Sequence, residues 1–242
     1  MRPPSISILT ATFNAQAQLT GLIDSLRAQT DADFEWIVAD GGSSDGTLEM
    51  LEQTRDLNLT VQSRRDFGIY DALNRAIETA TGDYYLVLGA DDRLSMDAVQ
   101  RFRREAVIAG ADFVTADVRA GPHVLRTREG QVWRYGLNGL ISAHSVGTMI
   151  RRSLHEHHGL YSRRFPIAAD QLFVMQACAG GASRHIVDGF IAGEFGLGGI
   201  SSQDAIGTAT EFFRVQLMTG GNRVVQFGLL CARILKALSR GQ

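Results

Sequence analysis

Tyr84-Tyr85-Leu86-Val87-Leu88-Gly89-Ala90-Asp91-Asp92-Arg93-Leu94 is a run of apolar and aromatic residues that ends in two adjacent carboxylates. Tyr84 to Leu88 has the length and composition of a buried strand, which puts the acids at its C-terminal tip. In open α/β sheets, ligands bind outside the carboxyl ends of the strands. Adjacent acids there suit a hard divalent cation that also carries phosphate oxygens. An Asp-Asp pair after a strand is equally ordinary turn or helix-start chemistry. The other strand ends of the first half decide between the two, because they too carry polar, Gly-rich or acidic segments.

Upstream of this stretch, strand and helix patterns alternate. Ser5 to Thr10 reads as a strand and Leu19, Leu22, Ile23 and Leu26 as a helix; Phe34 to Ala39 precedes a helix carrying Leu48 and Leu51; Leu59 to Gln62 precedes Tyr70, Leu73, Ile77 and Ala80. Downstream, a helix around Val99, Phe102 and Ala106 is closed by Gly110 as a C-cap. This alternation predicts an α/β fold with a mainly parallel sheet and helices on both faces. From Phe113 strands follow without intervening helices: Phe113 to Val118, His123 to Thr127, Gln131 to Gly136 and Ser145 to Arg152. Such a run predicts antiparallel additions to the sheet. A helix over Gln171 to Ala179, a strand over Arg184 to Ile191 and a loop over Gly196 to Ser202 complete the pattern. Gln203 to Arg240 reads as a helical tail broken at Gly220-Gly221.

Composition narrows the function classes. The 242 residues are 45% hydrophobic and 21% charged, with a formal net charge of −2, which is the profile of a globular protein without the basic excess of a nucleic-acid binder. Cys178 and Cys231 have no metal or redox spacing. No secretory h-region precedes the first strand and no run of about 18 apolar residues occurs, so the expected location is cytoplasmic.

The strand-end segments carry the chemistry. Thr10-Ala11-Thr12-Phe13-Asn14 lacks the glycines of a dinucleotide-binding turn, and no Gly-rich loop ending in Lys-Ser or Lys-Thr occurs. Asp40-Gly41-Gly42-Ser43-Ser44-Asp45-Gly46-Thr47 allows close backbone approach, and Asp40 can accept from a base imide or a ribose hydroxyl. Asp45 reads as a residue that shapes the next helix. In Arg64 to Asn74, Asp66 fits a capping role, whereas Asp71 and Asn74 share a helix face near its N-terminus and can both look toward a ligand.

Together TATFN, EWIVADGGSSDGT and DFGIYDALNRAIETATGDYYLVLGADD resemble the N-terminal half of family 2 glycosyltransferases, enzymes of the GT-A nucleotide-sugar fold. The likeness is close over roughly the first 95 residues. It continues more loosely through His144, Phe165 to Asp170 and Gly198 to Ser201, toward the subgroup that assembles bacterial surface polysaccharides. The resemblance implies one catalytic domain over residues 1–203, with residues 1–95 as nucleotide-sugar half and 96–203 as acceptor half, followed by a helical tail over 204–242. It implies that Thr12, Asn14, Asp40, Asp66, Asp71 and Asp91 bind the nucleotide sugar, that Asp92 holds Mg²⁺ or Mn²⁺, and that Asp170 is the base. His144 would touch acceptor or donor. The implied partners are a UDP- or GDP-sugar and a glycan or lipid-linked acceptor, the implied reaction an inverting transfer. Electrostatics asks for the cation independently. Diphosphate beside two carboxylates meets repulsion of about 4 kcal/mol per close pair at an effective dielectric near 20, and a divalent ion reverses that sign.

The chain also departs from the family's pattern. The position after Asp40 is Gly41, where many relatives have a second Asp; His144 is followed by Ser145, and Asp170 by Gln171. His155, His157 and His158 read as a polar helix end. After Glu211 the chain has no acid but carries Arg214, Arg223, Arg233, Lys236 and Arg240, with Val224, Phe227, Cys231, Ile234 and Leu238 at helical spacing. Two readings of this helix stand: its stripe packs on the catalytic domain, or it docks on an anionic inner membrane beside a lipid-linked acceptor. An inert sugar-nucleotide-binding scaffold is the alternative to the enzyme; a nucleotidyltransferase would need a basic Gly-rich loop where TATFN stands.

Overall fold

Residues alternate across β1 (Ile6–Thr12), so that Ile6 and Ile8 join one apolar cluster while Leu9 joins another on the opposite face. The same alternation separates Trp36 and Val38 from Ile37 and Ala39 in β2 (Glu35–Asp40), and Leu86 from Tyr85 in β4 (Tyr84–Val87). A sheet built this way needs cover on both sides. The computed structural model, which describes residues 2–196 and 204–239, supplies it with helices on both.

Among the described residues the sheet has nine strands in the order β3-β2-β1-β4-β8-β6-β9-β5, with β7 paired to β6. Strand β3 (Leu59–Ser63), β2, β1 and β4 run parallel. Strand β8 (Thr148–Arg151) is antiparallel to β4 and to β6 (Phe113–Ala120). Strand β9 (Arg184–Glu194) runs parallel to β6, and β5 (Arg93–Leu94) is antiparallel to β9. One face is covered by α1 (Gln16–Arg27), which buries Leu19, Leu22, Ile23 and Leu26, by α2 (Thr47–Gln53) through Leu51, and by α4 (Ala98–Ala109) through Phe102. Gly110 closes α4 in the left-handed conformation, φ 59°, as expected of a C-cap glycine. The other face is covered by α3 (Ile69–Thr79), by α7 (Ala169–Ala179) and by α8 (Ala205–Met218) through Val215. The mixed α/β architecture and its parallel first half match the expectation.

The region between β6 and β8 differs from it. His123 to Thr127 pairs with β6 only over β7 (His123–Leu125). Gln131 to Gly136 is not a strand: Val132–Tyr135 forms a helical turn, α5, continued by a 3₁₀ turn over Gly136–Gly139. The reason lies in its hydrogen bonds. The carbonyls of Val132, Trp133 and Arg134 accept from the side chains of Gln216, Gln226 and Arg233, so the C-terminal helices take the place of a neighbouring strand. Helix α6 (Leu154–His158) follows β8, and α9 (Arg223–Ser239) follows α8 after a break at the expected glycines.

The expected packing of the tail's apolar stripe does not occur. Val224, Phe227, Cys231 and Leu238 are exposed and Ile234 is half-buried, while α9 buries Gln226 and Ala237. The expected loop over Gly196 to Ser202 lies outside the described residues beyond Gly196, as does Arg240.

Candidate active site

The C-terminal ends of β1, β2 and β4 lie side by side because those strands are in parallel register, with Thr12 opposite Asp40. Their loops are stapled to one another. Asp40 is fully buried and accepts from five donors: Thr12 Oγ1 and Ser43 Oγ on Oδ1, and Gly42 N, Ser43 N and Ser63 Oγ on Oδ2. Burial pushes its pKa up, but these donors outweigh burial and hold it below the usual carboxylate range. The lone pairs assigned from sequence to a base or ribose are therefore engaged within the loop, and Asp40 shapes the pocket wall. Thr12 is likewise buried, with its hydroxyl on Asp40. Asn14 adopts φ 48°, a region Asn tolerates. Its side chain accepts from Ser44 N at 2.9 Å, and its own N–H donates to Ser43 Oγ. Asp45 accepts from Thr47 N and Gln16 N, as a residue that shapes the helix start.

Asp66 stands over this loop. Its Oδ1 accepts from Gly68 N, and its Oδ2 lies 3.4 Å from Arg75 Nη2. A Cβ on Gly41 would come within 2.8 Å of that Oδ2. Any side chain at position 41 would therefore have to displace the Asp66 carboxylate. Asp71 is buried at the start of α3 and paired with Arg163 at 2.6 Å. Asn74 does not face a ligand: it clamps the backbone of Tyr161, donating to its carbonyl and accepting from its N–H.

The acid pair sits at a sharp turn after β4. Asp91 is exposed and Asp92 buried. Asp92 Oδ2 accepts from Gly89 N at 2.6 Å and Oδ1 from Gly196 N at 3.1 Å. Burial raises its pKa, with Asp91 adding to the rise and His144 opposing it. Asp91 Oδ1 and Asp92 Oδ2 both approach the point where a Cβ on Gly89 would stand, at 3.0 and 3.2 Å. Two adjacent carboxylates at one turn, the first of them exposed, are the kind of donor that a hard cation completed by substrate phosphate oxygens takes. Among the described residues no group of three His, Cys, Asp or Glu encloses a metal.

His144 joins this rim to Asp170. Its ring stacks on Phe195, centroids 4.3 Å apart, next to the Gly196 that caps Asp92. It opposes the rise in pKa that burial imposes on both Asp92 and Asp170. Asp170, in the first turn of α7, lines a cavity of about 290 Å³ together with His144, Tyr135, Leu137, Ser142 and Gln171. Burial raises its pKa, against a hydrogen bond from Tyr70 Oη at 2.7 Å and one from the Gln171 backbone.

Sequence reasoning missed two residues that hold this base, Tyr70 and Glu211, and the part His155 plays deeper in the core. Tyr70 looked like one of an apolar stripe, yet its hydroxyl reaches both Ile167 O and Asp170. Glu211 on α8 accepts from the N–H groups of Ile167 and Ala168, immediately before α7; an isolated acid in an apolar helix was the available signal. His155 is a hub rather than a helix end. Its Nδ1–H faces Gly159 O at 2.8 Å and its Nε2 faces Tyr85 Oη at 2.8 Å, which in turn meets Tyr161 Oη at 2.9 Å. Burial lowers the His155 pKa, so its Nε2 accepts from Tyr85.

Comparison with known proteins agrees with this geometry. The chain is 32% identical over 180 residues to a PGL/p-HBAD biosynthesis glycosyltransferase of Mycobacterium tuberculosis, covering 70% of this chain and 68% of that protein. It is 25% identical over 197 residues to the putative glycosyltransferase EpsH of Bacillus subtilis, covering 73% of this chain and 56% of that one. Among solved structures it superimposes on S. aureus TarS in complex with UDP-GlcNAc with a TM-score of 0.74 at 19% identity, over 97% of this chain and 73% of that chain. The mannosyltransferase PcManGT of Pyrobaculum calidifontis, in complex with GDP-Man and Mn²⁺, gives 0.73 at 17% identity over 100% and 77%. Those two likenesses concern the fold, which is the expected GT-A type. The profile of glycosyl transferase family 2 matches residues 7–169, and the chain belongs to that family.

Proposed function

We propose that this glycosyltransferase is inverting and metal-dependent, and moves a sugar from a UDP- or GDP-sugar to a hydroxyl of a glycan or lipid-linked acceptor in bacterial polysaccharide biosynthesis, on the cytoplasmic side of the membrane. The observation that carries the reading is the position of His144, which lines the cavity of Asp170 and stacks on Phe195 beside the Gly196 whose N–H caps Asp92. Donor diphosphate belongs against Asp91 and Asp92, and acceptor in the cavity lined by Asp170. The solved neighbours hold UDP-GlcNAc in one case and GDP-Man with Mn²⁺ in the other, which supports this class of donor.

Asp170 takes the proton of the acceptor hydroxyl as its oxygen attacks the anomeric carbon and the bond to the diphosphate breaks. One displacement inverts the configuration. Tyr70 Oη, held between Ile167 O and Asp170, fixes the carboxylate's direction. Asp91 and Asp92 would hold Mg²⁺ or Mn²⁺, which when bound neutralises the diphosphate and stabilises it as a leaving group. Among the described residues the one donor on Asp66 Oδ2 is Arg75 Nη2, at 3.4 Å, so this oxygen is the acceptor offered to base or ribose, while Thr12, Asn14 and Asp40 hold the loops in place.

A thermal-shift panel of nucleoside diphosphates and their sugars, with and without Mn²⁺, tests this reading. Stabilisation by one nucleotide series is expected, strengthened by Mn²⁺, with the metal increment lost in Asp92→Ala. Asp170→Asn should keep the nucleotide shift and lose about 10²–10⁴-fold in transfer. Transfer at the original rate in that variant refutes the base.

A further inference from the structure

Helix α9 buries Gln226 and Ala237 and leaves Leu229, Leu230 and Ile234 half-buried, while a stripe of its large apolar side chains faces solvent, against what burial favours for a helix in water. Gln226 Nε2 donates to Trp133 O at 2.6 Å and Arg233 Nη2 to Arg134 O at 2.9 Å, so two polar residues pin the helix to α5. On its other side Val224, Phe227, Leu235 and Leu238 are 81%, 60%, 67% and 60% exposed. With Cys231 between them they recur every three or four residues, which makes one continuous stripe on a helix of 3.6 residues per turn. Trp133, beside the anchor, is 53% exposed.

Charge narrows what covers this stripe. After Glu211 the chain has five cations and no acid, Arg214, Arg223, Arg233, Lys236 and Arg240. Arg126, Arg128 and Arg134 are exposed on the segment that includes the helix's anchor, with one acid, Glu129, among them and Arg126 paired with Asp117 at 3.4 Å. A second copy of the chain would set the exposed cations Arg128, Arg134, Arg223 and Lys236 against one another, whereas an anionic bilayer attracts them. An apolar helical face with a basic surround and a neighbouring Trp matches the boundary between headgroups and acyl chains.

We infer that α9 and Trp133 form a docking surface for an anionic lipid bilayer. Tyr135 and Leu137, just beyond Trp133 in the chain, line the cavity that holds Asp170, so a molecule docked through α9 holds its acceptor cavity beside the lipid surface. The acceptor is then a hydroxyl on a lipid-linked molecule. That last step rests on the transferase reading; the docking does not.

Co-sedimentation of the full chain with vesicles of phosphatidylcholine, with and without phosphatidylglycerol, tests it. The chain is expected to pellet with the phosphatidylglycerol vesicles, and less so at high salt. Phe227→Ser with Leu235→Ser should lower vesicle partitioning by about a hundred-fold and leave the thermal shift with nucleoside diphosphate unchanged, since both side chains are exposed. Arg223→Glu with Lys236→Glu should remove the preference for phosphatidylglycerol. Failure of the unaltered chain to pellet overturns the inference, as does equal pelleting of the double Ser variant. A dimer in sedimentation velocity that the Ser pair abolishes overturns it in favour of a second copy. Donor hydrolysis measured without vesicles reads the transferase assignment separately: its absence alongside intact docking would sink that assignment alone.

Discussion

Asp170 ionises in a cavity lined by protein, and burial pushes its pKa above the usual 3.8. The folded chain therefore binds the Asp170 proton more tightly than the unfolded chain. Stability from this group is fully present below about 3.8 and is lost as pH rises through the folded value. Asp170→Asn removes the charge and keeps an oxygen for Tyr70, so at neutral pH the variant should melt higher than the parent, with the gap closing in acid. Melting curves across pH check this, and a variant no more stable than its parent at neutral pH would show that the carboxylate ionises without strain. At the same scale Asp66 and Asp40 show what sequence conveys. Both carry acid to the same rim, but which one is saturated depends on Ser63, a strand away, and on Gly41 making room for Asp66. Spacing along the chain encodes the loop and not the count of donors converging on each oxygen.

At the scale of elements, the turn before α7 decides where Asp170 points. Glu211 Oε2 accepts from Ile167 N and Ala168 N at 3.0 and 2.8 Å, two charge-assisted bonds from a helix more than forty residues further on. Glu211→Gln keeps the shape and removes the charge, so it should destabilise the chain by about 1–2 kcal/mol. Turnover should fall several-fold while the KM for donor stays put, because the donor rim is untouched. Denaturant unfolding and steady-state kinetics measure the two effects; a change in KM alone would contradict a positioning role. The parallel half was legible in the sequence because each strand alternates and each helix carries a stripe, both local signals. Val132–Tyr135 was not, because the groups that satisfy its carbonyls, Gln216, Gln226 and Arg233, lie on distant helices. The outward apolar face of α9 was legible as a stripe, but periodicity does not tell which way a stripe looks.

Over the whole molecule, the two apolar clusters run across the division expected at residue 95: one joins Ile6 and Trp36 to Phe102 and Phe190, the other joins Leu9 and Leu73 to Phe173 and Val215. The catalytic unit therefore behaves as one body, and we propose that it ends after α8 rather than at residue 203. Helix α8 buries Ala209, Glu211, Val215 and Gln216, reaching both the Asp170 turn and α5, whereas α9 buries Gln226 and Ala237. A large buried apolar side chain contributes about 1.5–3 kcal/mol, and an ordinary hydrogen bond about 0.5–1.5 kcal/mol. Truncation after Gly221 removes two side-chain hydrogen bonds to α5 and a mostly exposed helix, so it should lower stability by about 1–3 kcal/mol. Truncation after residue 203 removes Val215 from the core, Glu211 from the Asp170 turn and Gln216 from Val132 O. That chain should lose several kcal/mol more, with transfer abolished even where it folds. Calorimetry of the two truncations alongside the full chain separates the cases: equal melting temperatures for both would place α8 outside the catalytic body and return the boundary to 203.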